Sequence, residues 1–158
     1  MQITIWLLLA AAAVLVAARF GAFVGSAPSQ LGVTDGKLKP PSKNPNSVSS
    51  QADLWPEHPQ RAYAAIAPLA LRSDGPATMV RLAQIIESMD GAQIVERRPD
   101  YLYAQFTTKL MRFVDDTEFW FDPAAGVVQV RSASRVGRKD LGVNRARIEA
   151  LRARLAST

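Results

Sequence analysis

An alternation of apolar and polar side chains runs through YLYAQF (101–106), DDTEFWFD (115–122) and VVQVRSASR (127–135). A period of two is the pattern of strands with one buried face, and these segments are read as such, together with a further extended run at 92–97. RRPD joins the first two strands and PAAG the last two, so the order predicts an antiparallel meander. IAPLAL (66–71) reads as a short extended segment whose Pro68 suggests an edge or an irregular position. From 74 to 89 the period becomes helical: Met79, Leu82, Ile86 and Met89 share one stripe, Asp74-Gly75-Pro76 supplies a start and Gly91 a stop. A last helix from about Asn144 to Ala156 puts Asn144, Ile148, Leu151 and Leu155 on one stripe, with Arg145 and Arg152 on one flank and Arg147 and Arg154 on the other. Asn144 is read as its N-cap. The expected fold is α+β, an antiparallel meander sheet packed with two helices.

The longest apolar run precedes all of this. Residues 3–24, interrupted only by Arg19, would extend roughly 33 Å as a helix at about 1.5 Å per residue, enough to cross a bilayer. A cleaved signal peptide is the competing reading, with VGSA offering small residues for processing. No Lys or Arg precedes the run, which favours an uncleaved anchor. Residues 25–59 are rich in Gly, Pro, Ser and Asn and read as a tether or irregular lead-in. The expected organisation is a transmembrane anchor at 1–24, a tether at 25–43 and a folded domain at 44–158.

Charge changes the picture at the C-terminal end. Residues 1–130 carry 11 basic and 12 acidic side chains, and residues 131–158 carry 8 and 2, so the whole net charge of +5 belongs to the last segment. A segregated basic end points to an acidic partner, with a solvated basic face as the alternative. The chain has no cysteine, which excludes disulfides, thiolate metal sites and thiol nucleophiles, and its one histidine, His58, lies between prolines in a loop. Nothing in the chain calls for a cofactor or a metal.

The PAAG turn fixes a register. If Asp122 pairs with Val127, then Phe121 lies opposite Val128, Phe119 opposite Val130 and Glu118 opposite Arg131. One face is core; the other carries Asp116, Glu118 and Trp120 beside Gln129, Arg131 and Arg135. Such cross-strand charges stabilise a sheet by roughly 0.2–1 kcal/mol per pair without any further role. As a catalytic pair Asp116 and Glu118 are poor, because neighbouring arginines lower carboxylate pKa values, the wrong direction for a general acid. Arg145, in a first helical turn, opposes the helix dipole and is expected to have a carboxylate or ligand partner, with Asp140 the candidate within the chain and an anion site shared with Arg135 the sharper expectation.

FVDDTEFWFD followed by VQVRSASRVGRKDLGVNRARIEALR, with LGVTDGKLKPPSKNPNSVSSQ upstream, resembles the signature of the family called domain of unknown function 1499, over roughly residues 31–155. The resemblance implies a small α+β domain, often behind a membrane span or export signal, and no inherited reaction. It marks Asp115, Asp116, Glu118, Arg131, Ser132, Ser134, Arg135, Gly137, Asp140, Gly142, Asn144 and Arg145 as the positions of interest, with Gly137 and Gly142 serving turns. Relatives typically carry two cysteines where this chain has Pro41 and Ser47. Those cysteines suit an oxidising compartment and place the domain on the extracytoplasmic, periplasmic side, although Lys37, Lys39 and Lys43 after the span argue for the cytoplasm.

Three functions are weighed. The first is a membrane-anchored, non-catalytic binding or accessory domain of the cell envelope. Its arginine-rich face, with Asp116, Glu118, Arg131, Ser132, Ser134, Arg135, Asp140, Asn144 and Arg145, would recognise an anionic small molecule or lipid headgroup. The second is a hydrolase using Asp115, Asp116 or Glu118 with Ser132 or Ser134, which lacks an evident base or nucleophile elbow. Nucleic-acid binding is third, since aromatic and basic residues hardly interleave.

Overall fold

The computed structural model describes residues 2–157. In chain order its elements are α1 (Gln2–Arg19), β1 (Ser47–Ser49), a 3-10 turn (Ala52–Leu54), α2 (Arg61–Ala64), β2 (Leu69–Ala70), α3 (Gly75–Glu87), β3 (Ala92–Arg97), β4 (Tyr101–Thr107), β5 (Val114–Asp122), β6 (Val127–Ser134) and α4 (Val143–Ala156). β3 to β6 are the expected antiparallel meander, and the pairing of β5 with β6 follows the expected register, Glu118 opposite Arg131 and Phe119 opposite Val130. The far edge of β6 is divided between two short strands, β1 against residues 131–133 and β2 against 127–128. The IAPLAL segment thus forms a strand only at Leu69–Ala70, beyond Pro68, and at an edge.

α3 and α4 lie on one face of the sheet. Met79, Leu82 and Ile86 from α3 and Ile148, Leu151 and Leu155 from α4 pack with Leu102, Phe106, Phe119, Val128 and Val130. The Asp74 carboxylate caps α3 by accepting from the Ala77 amide at 2.7 Å. Gly75 lets that helix end close on Phe121, since a Cβ there would come within 2.2 Å of the ring. Gly91 takes φ +71° at the turn into β3, where a Cβ would meet the Thr107 carbonyl oxygen at 2.2 Å.

The opposite face is also covered. Leu38 is 1% exposed and clusters with Tyr101 and Tyr103, and Leu31, Val33 and Trp120 pack against them. Residues 31–40, read from sequence as part of a tether, therefore belong to the packed domain. Gln51 fixes this cover by accepting from the Leu38 amide and donating to the Gly36 carbonyl, both at 2.8 Å. Each sheet face is buried, one by helices and one by irregular chain.

Candidate functional site

Strand alternation divides the polar residues of β5 and β6 between the two faces. Beneath the cover, Arg135 grips Asp116 through two hydrogen bonds of 2.7 Å, and Tyr103 donates to the same carboxylate at 2.5 Å. The side chains of Arg135 and Asp116 are 6% and 3% exposed. The hydrogen bond to Asp116 raises the Arg135 pKa against the effect of burial, and burial followed by the bond to Asp116 raises that of Tyr103. Glu118, fully buried, accepts from the Gly32 amide at 2.8 Å and from the Tyr101 hydroxyl at 2.9 Å. Burial and that carboxylate push the Tyr101 phenol far above its ordinary value.

The expected Glu118–Arg131 pair is a charge contact, not a hydrogen bond. Nη1 lies 3.8 Å from Oε2, which has no hydrogen-bonding partner among the described residues. Arg131 Nε donates instead to the Pro40 carbonyl, and burial lowers its pKa despite the nearby carboxylates. Single changes Glu118→Ala and Arg131→Ala are expected to be non-additive, with a coupling of about 1 kcal/mol or more in a double-mutant cycle followed by thermal unfolding. Coupling indistinguishable from zero would mean that the gap fully screens the pair.

On the helix face, at the end of the sheet where β6 leads into α4, a second polar cluster forms around Asn144. Its amide nitrogen donates to Asp140 at 2.9 Å, to Ser134 Oγ at 3.0 Å and to the Asn46 carbonyl at 3.2 Å. Its oxygen accepts from Ser132 at 2.5 Å and from Arg147 at 2.9 Å. Arg147 also binds Asp115 at 2.5 Å and stacks over Phe106, and Thr117 lies 2.7 Å from Ser132. Asn144 is therefore not the N-cap. Gly142 occupies that position with φ +82°, and the Asp140 carboxylate reaches the Gly142 and Asn144 amides at 3.1 and 3.2 Å. Burial raises the Asp140 pKa, but hydrogen bonds from Tyr63, Asn144 and these amides outweigh it, so the carboxyl is held below its usual range.

Arg145 departs from expectation. It meets neither Asp140 nor Arg135. Its Nη2 donates to the carbonyls of Tyr63 at 2.6 Å and Ala65 at 2.9 Å, at the C-terminal end of α2. Arg152, on the same flank, grips the carbonyls of Ala67 and Pro68. These two arginines staple α4 to the segment between α2 and β2, answering backbone oxygens that no sequence pattern displays.

The nine residues read as one binding surface thus form two buried clusters and a staple. Asp116, Glu118, Arg131 and Arg135 lie under the cover; Ser132, Ser134, Asp140 and Asn144 lie with Asp115 under α4. The sheet divides the hydrolase constellation: Asp116 and Glu118 face away from both serines, and Asp115, on the serines' face, is tied up by Arg147. Ser132 is fully buried, and the partners of the two serine hydroxyls are Thr117, Asn144 and Arg147. None of these is a base. His58 uses Nδ1 to accept from the Gln60 amide in its own turn. Sequence reasoning missed Asn46, Tyr63, Tyr101, Tyr103 and Arg147. Two of these were visible as the tyrosines of the alternating YLYAQF, whose polar face had to meet something.

A family of proteins of unknown function, DUF1499, has a model that matches residues 37–155. The chain belongs to the DUF1499 family. The match begins at Lys37, inside the chain that covers the sheet, and takes in both clusters. No curated protein and no solved structure matches the chain.

One further arrangement in this DUF1499 protein concerns α1. Among the described residues it is the one helix long and apolar enough to cross a membrane, a property shared by signal sequences. Its 18 residues span about 27 Å, close to the hydrocarbon thickness of roughly 30 Å. The chain leaving it returns onto the domain: the Phe23 and Phe113 ring centroids are 5.5 Å apart, and Gly25 lies so near Arg135 and Val136 that a Cβ would come within 2.8 Å of both. α1 therefore meets the domain at the end carrying the β4–β5 loop (108–113) and the β6–α4 loop (135–142). Both loops are basic. Lys109 pairs with Asp90 at 2.6 Å, while Arg112, Arg138 and Lys139 are exposed and their side chains have no partner among the described residues.

Proposed function

We propose that this protein is a membrane-anchored, non-catalytic accessory domain of the cell envelope that recognises an anionic lipid headgroup at the end where α1 joins the domain. The observation that carries this reading is the division of the cations. Arg131, Arg135 and Arg147 are buried against carboxylates, and Arg145 and Arg152 hold carbonyls. Arg112, Arg138 and Lys139 remain open beside the exit of the apolar helix. Cations beside a span meet the phosphates of the headgroup layer, where each contributes about 1 kcal/mol on an anionic surface. The arginine-rich strands are then architecture, and the recognising charges are the loop cations.

The full chain is expected to stay with membranes through carbonate and high-salt extraction; its release by either would remove the anchor from this reading. In detergent, a short-chain anionic phospholipid should raise the melting temperature of the full chain, through preferential binding to the native state. A zwitterionic lipid of the same chain length should not, and added salt should weaken the effect. Arg112→Gln, Arg138→Gln and Lys139→Gln combined should abolish it. An unchanged shift in that triple variant would overturn the assignment, and an equal shift with inorganic phosphate would point to a free anion instead of a headgroup. This reading puts the domain on the extracytoplasmic side, so a periplasmic reporter fused after Thr158 is expected to be active, and an inactive one would overturn that orientation.

A further inference from the structure

The loops that flank α1 carry more than charge. Leu141 is 92% exposed and Leu110 68% exposed, with Val136 and Val143 partly exposed beside them and Phe20 87% exposed at the end of the helix. Leu141 also has φ +53°, a left-handed conformation that a leucine adopts only at a cost and that Gly or Asn would take readily. The side chain makes no packing contribution in return. At the opposite end of the sheet, the turns at 98–100 and 123–126 carry no large apolar side chain. The two most exposed apolar side chains of the domain therefore lie where α1 joins it, interspersed with Arg112, Arg138 and Lys139, while Leu54, Val80 and Val95, each about half exposed, are single residues elsewhere.

We infer that Leu110 and Leu141 are membrane-insertion tips: with α1 in the bilayer, the two loops enter the headgroup–acyl boundary and seat the domain against the membrane in one fixed pose. Apolar tips ringed by cations are the composition of interfacial anchors, in which the apolar groups enter the boundary and the cations remain among the phosphates. Continuity selects the bilayer as occupant over another protein, because Phe23 on Phe113 and Gly25 against Val136 bind the end of the span to these same loops. A domain held this way does not swing on a tether. The inference rests on the anchored reading of α1.

The absence of cysteine makes the test direct, since one introduced thiol gives one labelled site. Leu8→Cys, Phe20→Cys, Leu110→Cys, Leu141→Cys and Ala125→Cys variants of the full chain would each carry an environment-sensitive fluorophore. They would be placed in nanodiscs of phosphatidylcholine and phosphatidylglycerol whose acyl chains bear nitroxide quenchers. Labels at 110 and 141 are expected to be quenched at least as strongly as the label at 20, and the label at 125 not at all. A label at Lys139→Cys should lose its quenching when Leu110→Ser and Leu141→Ser are added, which separates insertion by the leucines from insertion by the dye. Quenching at 8 without quenching at 110 and 141 would overturn the inference while leaving the anchor intact. No quenching at 8 would overturn the anchor, and the inference with it.

Discussion

Asp116→Ala is expected to lower stability by about 3–5 kcal/mol, the usual consequence of removing one member of a buried ion pair. At roughly 2–4 °C per kcal/mol for a chain of this size, the melting temperature should fall by roughly 6–20 °C. The reason is geometric. Arg135 holds Asp116 through two 2.7 Å hydrogen bonds with both side chains almost sealed from water, so truncation leaves a buried guanidinium without a counter-charge, with the Tyr103 hydroxyl at 3.3 Å as its remaining partner. Tyr103 loses its 2.5 Å acceptor at the same time. Asp116→Asn should cost less, because an amide oxygen still accepts one bond. The double change Asp116→Leu with Arg135→Met should recover part of the loss, since replacing a buried pair by apolar groups of similar volume is close to neutral. Thermal unfolding of the full chain in detergent measures all three. A cost for Asp116→Ala below about 1 kcal/mol would mean that the pair behaves as a surface salt bridge, open to water.

That pair shows what the sequence displays and where it stops. Asp116 and Arg135 lie on the predicted polar face, and the register placing Glu118 opposite Arg131 follows from the turn at 123–126 and the two-residue period. Both are local rules acting over a few residues. The cover at 31–40 obeys no such period: it binds through Leu38 and through backbone groups, the Gly32 amide on Glu118 and the Pro40 carbonyl on Arg131. A Gly-, Pro- and Lys-rich stretch with those contacts reads as a tether until the sheet beneath it is known. Arg145 fails for the same reason, since its partners are carbonyls at the end of a four-residue helix more than seventy positions away. Its conflict with the helix dipole pointed to a carboxylate or a ligand, whereas the partners in the structure are backbone carbonyls. Asn144 fails by degeneracy. Asp and Asn are both good caps, both occur in KDLGVN, and burial of the Asn144 side chain between α4 and the sheet left Asp140 to serve the amides.

The end where α1 joins the domain was legible as composition and not as place. Positive charge segregated into residues 131–158 is plain in the sequence, yet Arg131, Arg135 and Arg147 are paired with β5 carboxylates and Arg145 and Arg152 are occupied by backbone carbonyls. The cations that remain open are brought together by the antiparallel order of the sheet. Loops 108–113 and 135–142 are neighbours because each adjoins the same end of β5 and β6. Sheet topology, more than any motif, positions the surface that we assign to lipid.

Asn144→Ala should have an effect as large as Asp116→Ala, and it should be distinguishable by its dependence on pH. The fully buried amide is the common partner of Asp140, Ser132, Ser134, Arg147 and the Asn46 carbonyl. Each of these loses one bond and Ser134 Oγ keeps none among the described residues, whereas Asp140, Ser132, Arg147 and the Asn46 carbonyl retain other partners; a lost bond costs about 0.5–1.5 kcal/mol, and about 1.5–3 kcal/mol at a charged group. A total loss of about 4 kcal/mol or more is expected, again read by thermal unfolding. Asp140 adds the second signature. Its folded pKa is depressed, so the stability it contributes is complete above its unfolded value, near about pH 4, and drains as pH falls through the lower folded value. Without the Asn144 side chain one of the bonds responsible for that depression is gone and the folded pKa rises towards the unfolded value, so the stability that Asp140 gives up on acidification is smaller and is exhausted at a higher pH. Asp116→Ala leaves the Asp140 bonds in place and should not alter the acid dependence in this way. An Asn144→Ala protein with unaltered acid unfolding would show that Tyr63 and the backbone amides alone hold the Asp140 carboxylate, making Asn144 a tie between β6 and α4 and no part of the electrostatics of the turn.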